Sequence, residues 1–281
     1  MRRPSRSELG LLARWVRARL VIIRRTPRAA FFALIFPLVL LVLLNATSGG
    51  TKVSVPGGKV SYAQYFAPSI GIYALAVSCY TVPIFGLASA RELGILKRVR
   101  GTPLSPWIYL AAWMLSVVVM GVAGAALMIV VSVPAFGVHI YPQLLPAAVV
   151  TAFLGAACLA AIGLAVSTLV RRADTAPAIS NLTLFPLLFL SGVFFPLTDA
   201  PDWVVTLAHV FPLSHLVEAF TACFSPYTTG SGFAFRDVAE IAAWGIAGLL
   251  VAVRRFRWEA GPHEGGPRRR LPRLGHAAQR G

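Results

Sequence analysis

The sequence predicts an all-α, polytopic integral membrane protein with six transmembrane helices, an N-terminal interfacial helix and external re-entrant helices before the last span. Three observations carry that prediction. The 281 residues are 57% hydrophobic and 13% charged, about half the roughly 25% charge of an ordinary soluble domain. Positions 101–170 contain no Asp, Glu, Lys or Arg, and as one helix they would run for about 105 Å, so a bilayer core of roughly 30 Å forces them to fold back. Finally, if the apolar blocks cross and the N-terminus is cytoplasmic, 23 of the 26 Lys and Arg fall inside, the asymmetry that fixes orientation in membrane proteins. The formal charge of +16 therefore reports topology and contact with anionic lipid, and no nucleic-acid partner is expected.

Within residues 1–28, Leu9, Leu12, Val16, Leu20 and Ile23 recur at steps of three or four while Arg14, Arg17, Arg24 and Arg25 mostly face away. This is the pattern of a cytoplasmic basic helix lying on the membrane surface. Residues 29–45 form a short first span that Pro37 can kink; Leu44, Asn45 and Ala46 make a poor cleavage site, so the span is read as uncleaved. Residues 47–65 hold Gly49, Gly50, Pro56, Gly57 and Gly58 and read as an external loop. Its Gly58-Lys59 pair is no phosphate loop, because Val53 and Val60 stand where Gly and Ser or Thr belong.

A second span is expected at 66–90. Pro134, Gly137, Pro142 and Pro146 divide the uncharged block into spans at 107–133 and 144–170, which returns the chain to Arg171 on the side it left. After an inner turn at 171–175 comes a fifth span at 176–197. Residues 198–237 differ: Asp199, Asp202, Glu218 and several prolines interrupt two apolar stretches too short to cross, so re-entrant or interfacial helices fit. A sixth span at 238–253 completes one membrane domain over 29–253, followed by a disordered basic cytoplasmic tail at 254–281, rich in Arg, Pro and Gly. Ala152, Ala156, Ala160, Gly163 and Ser167, with Gly121 and Gly124, permit close helix approach within one chain or between two. Cys79, Cys158 and Cys223 lack any CxxC spacing and read as packing residues, with no metal site.

The centres of the spans hold no ionisable side chain and the chain has no Walker sequence, so ion coupling and ATP hydrolysis by this chain are both unsupported. Either the protein is passive or its energy arrives through contact with another protein. An alternative reading is an intramembrane hydrolase. Ser191 would need a histidine base that no span supplies; His215 and Glu218, three apart, could share a helical face and a metal, with structural hydrogen bonding as the competing role.

Between spans two and three lies "RELGILKRVRGTPLSP", residues 91–106. Ser89-x-x-Glu92 has the form of a capping box, and Lys97, Arg98 and Arg100 crowd the last turn ahead of Gly101, Thr102 and Pro103. Leu93, Leu96 and Val99 form an apolar stripe. A short cytoplasmic helix over 91–103 would offer a surface to a soluble partner; the competing reading is an ordinary basic flank of span two.

This stretch resembles the cytoplasmic segment of ABC-2 type permeases, the membrane subunits of ATP-binding-cassette exporters, in which an acidic residue leads into Gly-x-Leu-x-x-x-x-x-Thr-Pro-Leu. Here those are Glu92, Gly94, Leu96, Thr102, Pro103 and Leu104, with Ile95 where that family more often carries Thr. "SGVFFPLTDAPDW" (191–203), "FPLSHLVEAF" (211–220) and the close at 254–258 are also similar, and the likeness touches most of residues 20–258, nearest to the daunorubicin-resistance-like exporters.

The resemblance implies the ABC-2 exporter fold and a bacterial cell membrane location with both termini cytoplasmic. It implies pairing with a second permease, usually an identical copy, and with two cytoplasmic ATPase subunits that hold the ATP and Mg; this chain would bind no cofactor. Residues Arg91, Glu92, Leu93, Gly94, Leu96, Lys97, Arg98, Val99, Arg100, Gly101, Thr102 and Pro103 would form a coupling helix docked in a groove of the ATPase. Leu93, Leu96 and Val99 would anchor that helix, and Glu92 and the cations would steer it. Pro196, Asp199, Trp203, Pro212, His215 and Glu218 would mark the external re-entrant segment. Phe185, Phe189, Phe194 and Phe195 suit a lipophilic or amphipathic cargo such as a drug, antibiotic or lipid-like compound.

Overall fold

The computed structural model describes residues 6–25, 27–48, 50–102, 104–170 and 172–256. Apart from one two-stranded hairpin, their regular structure is helical.

Helix α1 (Arg6–Arg25) carries the expected amphipathic pattern and packs along the later helix over Pro106–Phe136. Arg14 and Arg17 are exposed, whereas Arg19 turns inward: its guanidinium lies 3.0 Å from the centroid of the Trp113 ring. Burial pushes this arginine down to about 10, so it remains a cation at neutral pH. Trp15 meets Tyr109 edge-on, with ring centroids 6.1 Å apart. The helix expected to lie flat with its arginines in the headgroups is thus partly docked on the bundle, because a cation can exchange water for an aromatic face.

Helix α2 (Pro27–Thr47) runs through Pro37. The expected loop after it contains an antiparallel hairpin, β1 (Lys52–Val55) and β2 (Gly58–Ser61), with Val55 opposite Gly58. Pro56 and Gly57 form the turn; Gly57 has φ 94, which favours glycine, and proline pre-sets the residue before it. Ser61 then caps α3 (Tyr62–Ala76) by accepting the Gln64 N–H. A π-turn (Val77–Thr81) joins α3 to α4 (Val82–Glu92), so that one helical run spans Tyr62–Glu92. After a break comes α5 (Ile95–Arg100).

Helix α6 (Pro106–Phe136) continues through Pro134, where the sequence predicted a break, and stops at Gly137. Near a helix end a proline removes only one N–H, whereas Gly137 (φ 66) turns the chain left-handed while the Gly137 and Val138 N–H groups bond back to Val133 and Ser132. A short 3-10 turn (Pro142–Leu144) leads into α7 (Leu145–Ser167). Helix α8 (Ala176–Leu190) ends before the expected 197, because the chain turns at Gly192 (φ 83). The short helices α9 (Asp202–Ala208) and α10 (Pro212–Ala222) are bent by 99° to one another. Helix α11 (Phe235–Arg255) starts ahead of the expected 238 and takes Arg236 and Asp237 into its first turn.

The α3–α4 run lies at the centre, touching α2, α6, α7, α8 and α10, while α11 covers α7 and α10. Phe66, Ile70, Ile72, Leu75, Ile84 and Leu87 on this run are fully buried. Around the π-turn, Cys79 Sγ donates to Val117 O (3.3 Å), Tyr80 Oη pairs with Thr183 Oγ1 (2.7 Å), and Ser180 Oγ donates to Thr81 Oγ1 (2.9 Å). Segments Tyr62–Glu92, Trp107–Phe136 and Pro142–Ser167 are long and apolar enough to cross a membrane. Helix α8 is apolar but shorter, and α11 carries charged residues at both ends.

Gly163 of α7 sits against the π-turn so closely that an added Cβ would lie 2.6 Å from Tyr80 O. Gly163→Ala should therefore destabilise the purified protein by about 1–3 kcal/mol, read as a lower thermal unfolding midpoint in detergent. Gly10→Ala is the control, since a Cβ there meets nothing within 4 Å. An unchanged midpoint for Gly163→Ala would mean that α7 is not seated on the π-turn.

Candidate functional site

Two clusters stand at opposite ends of the central helical run. At the basic end the residues do not form one helix from 91 to 103. Ser89-x-x-Glu92 caps nothing: the Ser89 carbonyl accepts the Leu93 N–H (2.9 Å) and Glu92 is the last residue of α4. The apolar run behind these residues keeps the chain helical past them, and the true break is Gly94, at φ 67.

Arg91 Nη1 donates to the carbonyls of Ser167 (2.5 Å) and Val170 (3.0 Å), placing a cation at the negative end of α7. Glu92 Oε2 accepts from the backbone N–H of Ala173 (3.1 Å). Together these two side chains fasten the end of α4 to the connection between α7 and α8.

The apolar stripe divides. Leu93 is 68% exposed, but Leu96 (1%) and Val99 (8%) are buried in the chain's own core. Leu96 and Val99 keep their helical spacing on α5, whereas Leu93 lies beyond the left-handed Gly94, where that spacing no longer applies. The outward surface consists of Leu93 and half-exposed Ile95 beside the exposed Lys97, Arg98 and Arg100, followed by exposed Gly101 and Thr102. Thr102 Oγ1 donates back to Val99 O (2.6 Å), closing the last turn of α5. Pro103 lies outside the described residues.

At the hairpin end, α9 and α10 fold over the head of the bundle. Pro212 is buried at the start of α10, Pro196 is half-buried before a 3-10 turn (Leu197–Asp199), and Trp203 is 69% exposed. The Asp199 side chain lies outside the described residues.

His215 and Glu218 do not share a site. His215 is buried, with Nδ1 2.8 Å from Asp237 Oδ1 and Nε2 3.0 Å from His209 O. Glu218 instead pairs with His209 Nε2 at 2.9 Å. The rings of His209 and His215 stack with centroids 5.4 Å apart. Among the described residues no three His, Cys, Asp or Glu are grouped to hold a metal. Ser191 is buried with its hydroxyl donated to Leu188 O (3.0 Å), which turns it from a nucleophile's role into a helix-end one. Among the described residues neither Ser191 nor the His215 and Glu218 pair is thus hydrogen-bonded in the arrangement that the hydrolase alternative requires.

Sequence reasoning missed Gln64 and Tyr65. Gln64 Nε2 donates to His139 O (2.8 Å) and Phe224 O (2.7 Å), and its Oε1 accepts from His139 N (2.8 Å). Tyr65 Oη donates to Gly192 O (2.5 Å). The available signal was a lone amide opening an apolar helix; its partners, 75 and 160 residues away, leave no local pattern. Gln64, Tyr65, Ser191, Thr198, Glu218 and Asp237 help to line a cavity of about 410 Å³ at this end.

A family model described as "ABC-2 family transporter protein" matches residues 45–254. The chain is also similar to Nodulation protein J of Sinorhizobium fredii, with 36% identity over 96 residues. That stretch covers 34% of this chain and 36% of the relative, so the match spans about a third of either protein.

The Glu92 contact makes a separable prediction. Glu92→Ala should expose the Ala173 amide, raising its hydrogen exchange roughly tenfold, whereas Glu92→Gln, which still offers a carbonyl oxygen, should leave it protected. Equal exchange in the two variants would show that the fastening is made elsewhere.

Proposed function

The chain belongs to the ABC-2 transporter family, and from that premise we propose that it is the permease subunit of an ATP-binding-cassette exporter, driven by ATP hydrolysis on a separate subunit. The observation that carries the proposal is the α4–α5 junction: a short helix with a cationic outer surface, seated on the bundle by its own Leu96 and Val99.

The cation-bearing surface of α5 faces the cytoplasm in this reading. There Lys97, Arg98 and Arg100 steer and hold an acidic groove on the ATPase, and Leu93 and Ile95 supply the apolar contact. ATP and Mg belong to that partner. Because Leu96 and Val99 are spent inside the bundle, α5 cannot be moved without moving what it packs on. Displacement of α5 therefore reaches α4 directly, and the Arg91 and Glu92 bonds carry it to the α7–α8 connection. Tilting of those helices reshapes the path for cargo.

The remaining features of the proposal follow the family: six spans in a bacterial plasma membrane, cytoplasmic termini, a basic tail after α11, two permeases, preferably identical, and two ATPases. The cargo is a lipophilic or amphipathic compound. Exposed Leu182 (77%), Phe189 (61%) and Phe195 (71%) support that class, since they present apolar surface without any ionised group. No observation favours the hydrolase.

The test is reconstitution with the partner ATPase. Leu93→Asp combined with Lys97→Glu and Arg98→Glu should reduce transport-coupled ATP hydrolysis at least about tenfold, a loss in the range of close charge pairs at an interface. These positions are exposed, so the fold should survive. An impermeant amine reagent should reach Lys97 only from the cytoplasmic face. Full coupling in the triple variant, or labelling from outside, would overturn the proposal.

A further inference from the structure

The His215 hydrogen bonds cannot be drawn with a neutral ring and an ionised carboxylate. Nε2 faces the His209 carbonyl, which only accepts. Nδ1 faces Asp237 Oδ1, which also only accepts when ionised. A neutral imidazole has one N–H to give. The closed arrangement therefore holds one proton more than neutral histidine and ionised aspartate carry between them, and the count is the same whether the proton rides on the ring or on the carboxyl. The His215 ring is 6% exposed, so water has little access to either of its nitrogens, while the Asp237 side chain is 20% exposed. The neighbouring pair is different, since His209 engages Glu218 through Nε2 alone at 39% and 40% exposure, which a neutral ring satisfies.

From this geometry we infer that His215 is a positioning residue whose bound proton latches the α9–α10 pair to the head of α11. Asp237 lies in the first turn of α11, and His209 is the C-cap of α9. One ring thus fastens three helices. Asp237 and Glu218 also line the 410 Å³ cavity at this end, so release of the latch frees one wall of that cavity.

The closed state binds the extra proton, so by linkage closure weakens as pH rises. Other groups near the latch set its acid side. His209 stacks on the His215 ring, and charging both rings would place two cations face to face with Glu218 as the counter-charge. Tyr65 of α3 lines the same cavity as Glu218. Asp202 on α9 and Arg236 and Glu240 on α11 are exposed, and α7 and α8 bring no charged residue. The exporter reading above supplies only the statement that this end faces outward; the latch is measurable without it.

The experiment is hydrogen exchange on the purified full-length chain in lipid nanodiscs, without any ATPase, from about pH 5.5 to about pH 9, the range in which histidine protons are gained and lost. Rates are corrected for intrinsic pH dependence and referred to α6. Wild-type amides in 216–222 should lose at least about tenfold of their protection toward the alkaline end. Asp237→Asn is the decisive variant. Its amide donates to Nδ1, leaving a neutral His215 free to donate through Nε2, so protection should be flat with pH. Glu218→Gln should keep the wild-type slope. A flat wild-type profile, or an unchanged slope in Asp237→Asn, would overturn the latch. If Asp237→Asn fails to fold, loss of the slope in His215→Gln with its retention in Glu218→Gln supports the latch, and a slope retained in His215→Gln refutes it. None of these results bears on nucleotide-driven transport, so the latch and the exporter reading fail separately.

Discussion

The arrangement of the described helices depends on how closely α7 approaches the π-turn at Val77–Thr81. Lipid offers helices no hydrophobic incentive to associate, so they are held by close packing and by the few polar contacts they can make. Gly163 lets the α7 backbone rest against Tyr80 O, and Gly121 lets α6 do the same beside Cys79. The π-turn turns Cys79, Tyr80 and Thr81 toward α6 and α8, where each finds a partner. A regular α-helix would advance these three side chains by about 100° per residue along an unchanged ladder; the wider turn resets their directions. Once the central run is fixed in this way, the positions of both its ends are fixed too.

Those ends are where the charged and amide chemistry gathers. Gln64 and Tyr65 tie the first turns of α3 to the 138–141 loop, to the end of α10 and to the chain after α8. Arg91 and Glu92 tie the last turn of α4 to the α7–α8 connection. The two sets differ in kind. At the hairpin end an amide satisfies backbone groups that would otherwise be buried and unpaired, which costs more to break than it contributes when made. At the basic end an arginine and a carboxylate make charge-assisted bonds to helix-terminal carbonyls and an amide, the stronger class. The end proposed to meet the partner is thus braced by charge-assisted bonds, as transmission of a push requires.

Much of this was legible from apolar runs and punctuation. Helices are expected wherever the six apolar segments lie, and short re-entrant or interfacial helices follow from prolines and charges in 198–237. Where sequence and structure part, a neighbouring helical run, a glycine or a tertiary contact overrides the local signal. Ser89-x-x-Glu92 has the spacing of a helix start, but the run behind it was already helical and Gly94 supplied the break. Leu93, Leu96 and Val99 are spaced as one stripe, yet two of them complete the core beneath α5. His215 and Glu218 share a helix and part company because Asp237 and His209, 22 and 9 residues distant, claim them separately. The 47–65 loop folds as a hairpin because Val53, Val55 and Val60 alternate around Pro56-Gly57, a signal too short to separate from a glycine-rich loop.

The distribution of bond strengths also bears on which parts can move. In the interior the central run meets α8 through hydroxyl pairs, Tyr80 with Thr183 and Ser180 with Thr81, and interhelical bonds of this sort in membranes average only about 0.6 kcal/mol. Helix α8 also presents Leu182 at 77% and Phe189 at 61% exposure, so little of its surface is locked by neighbours. Its two ends are held differently: the Glu92 contact lies just ahead of its first turn, and the Tyr65 hydroxyl holds the Gly192 carbonyl beyond its last. A helix pinned at its ends and loosely joined along its length responds to displacement of one end by tilting. It can do so without unfolding, because neutral hydroxyls exchange partners at small cost where buried charges could not. The absence of ionised groups from the central parts of the spans is thus a mechanical property as well as a chemical one.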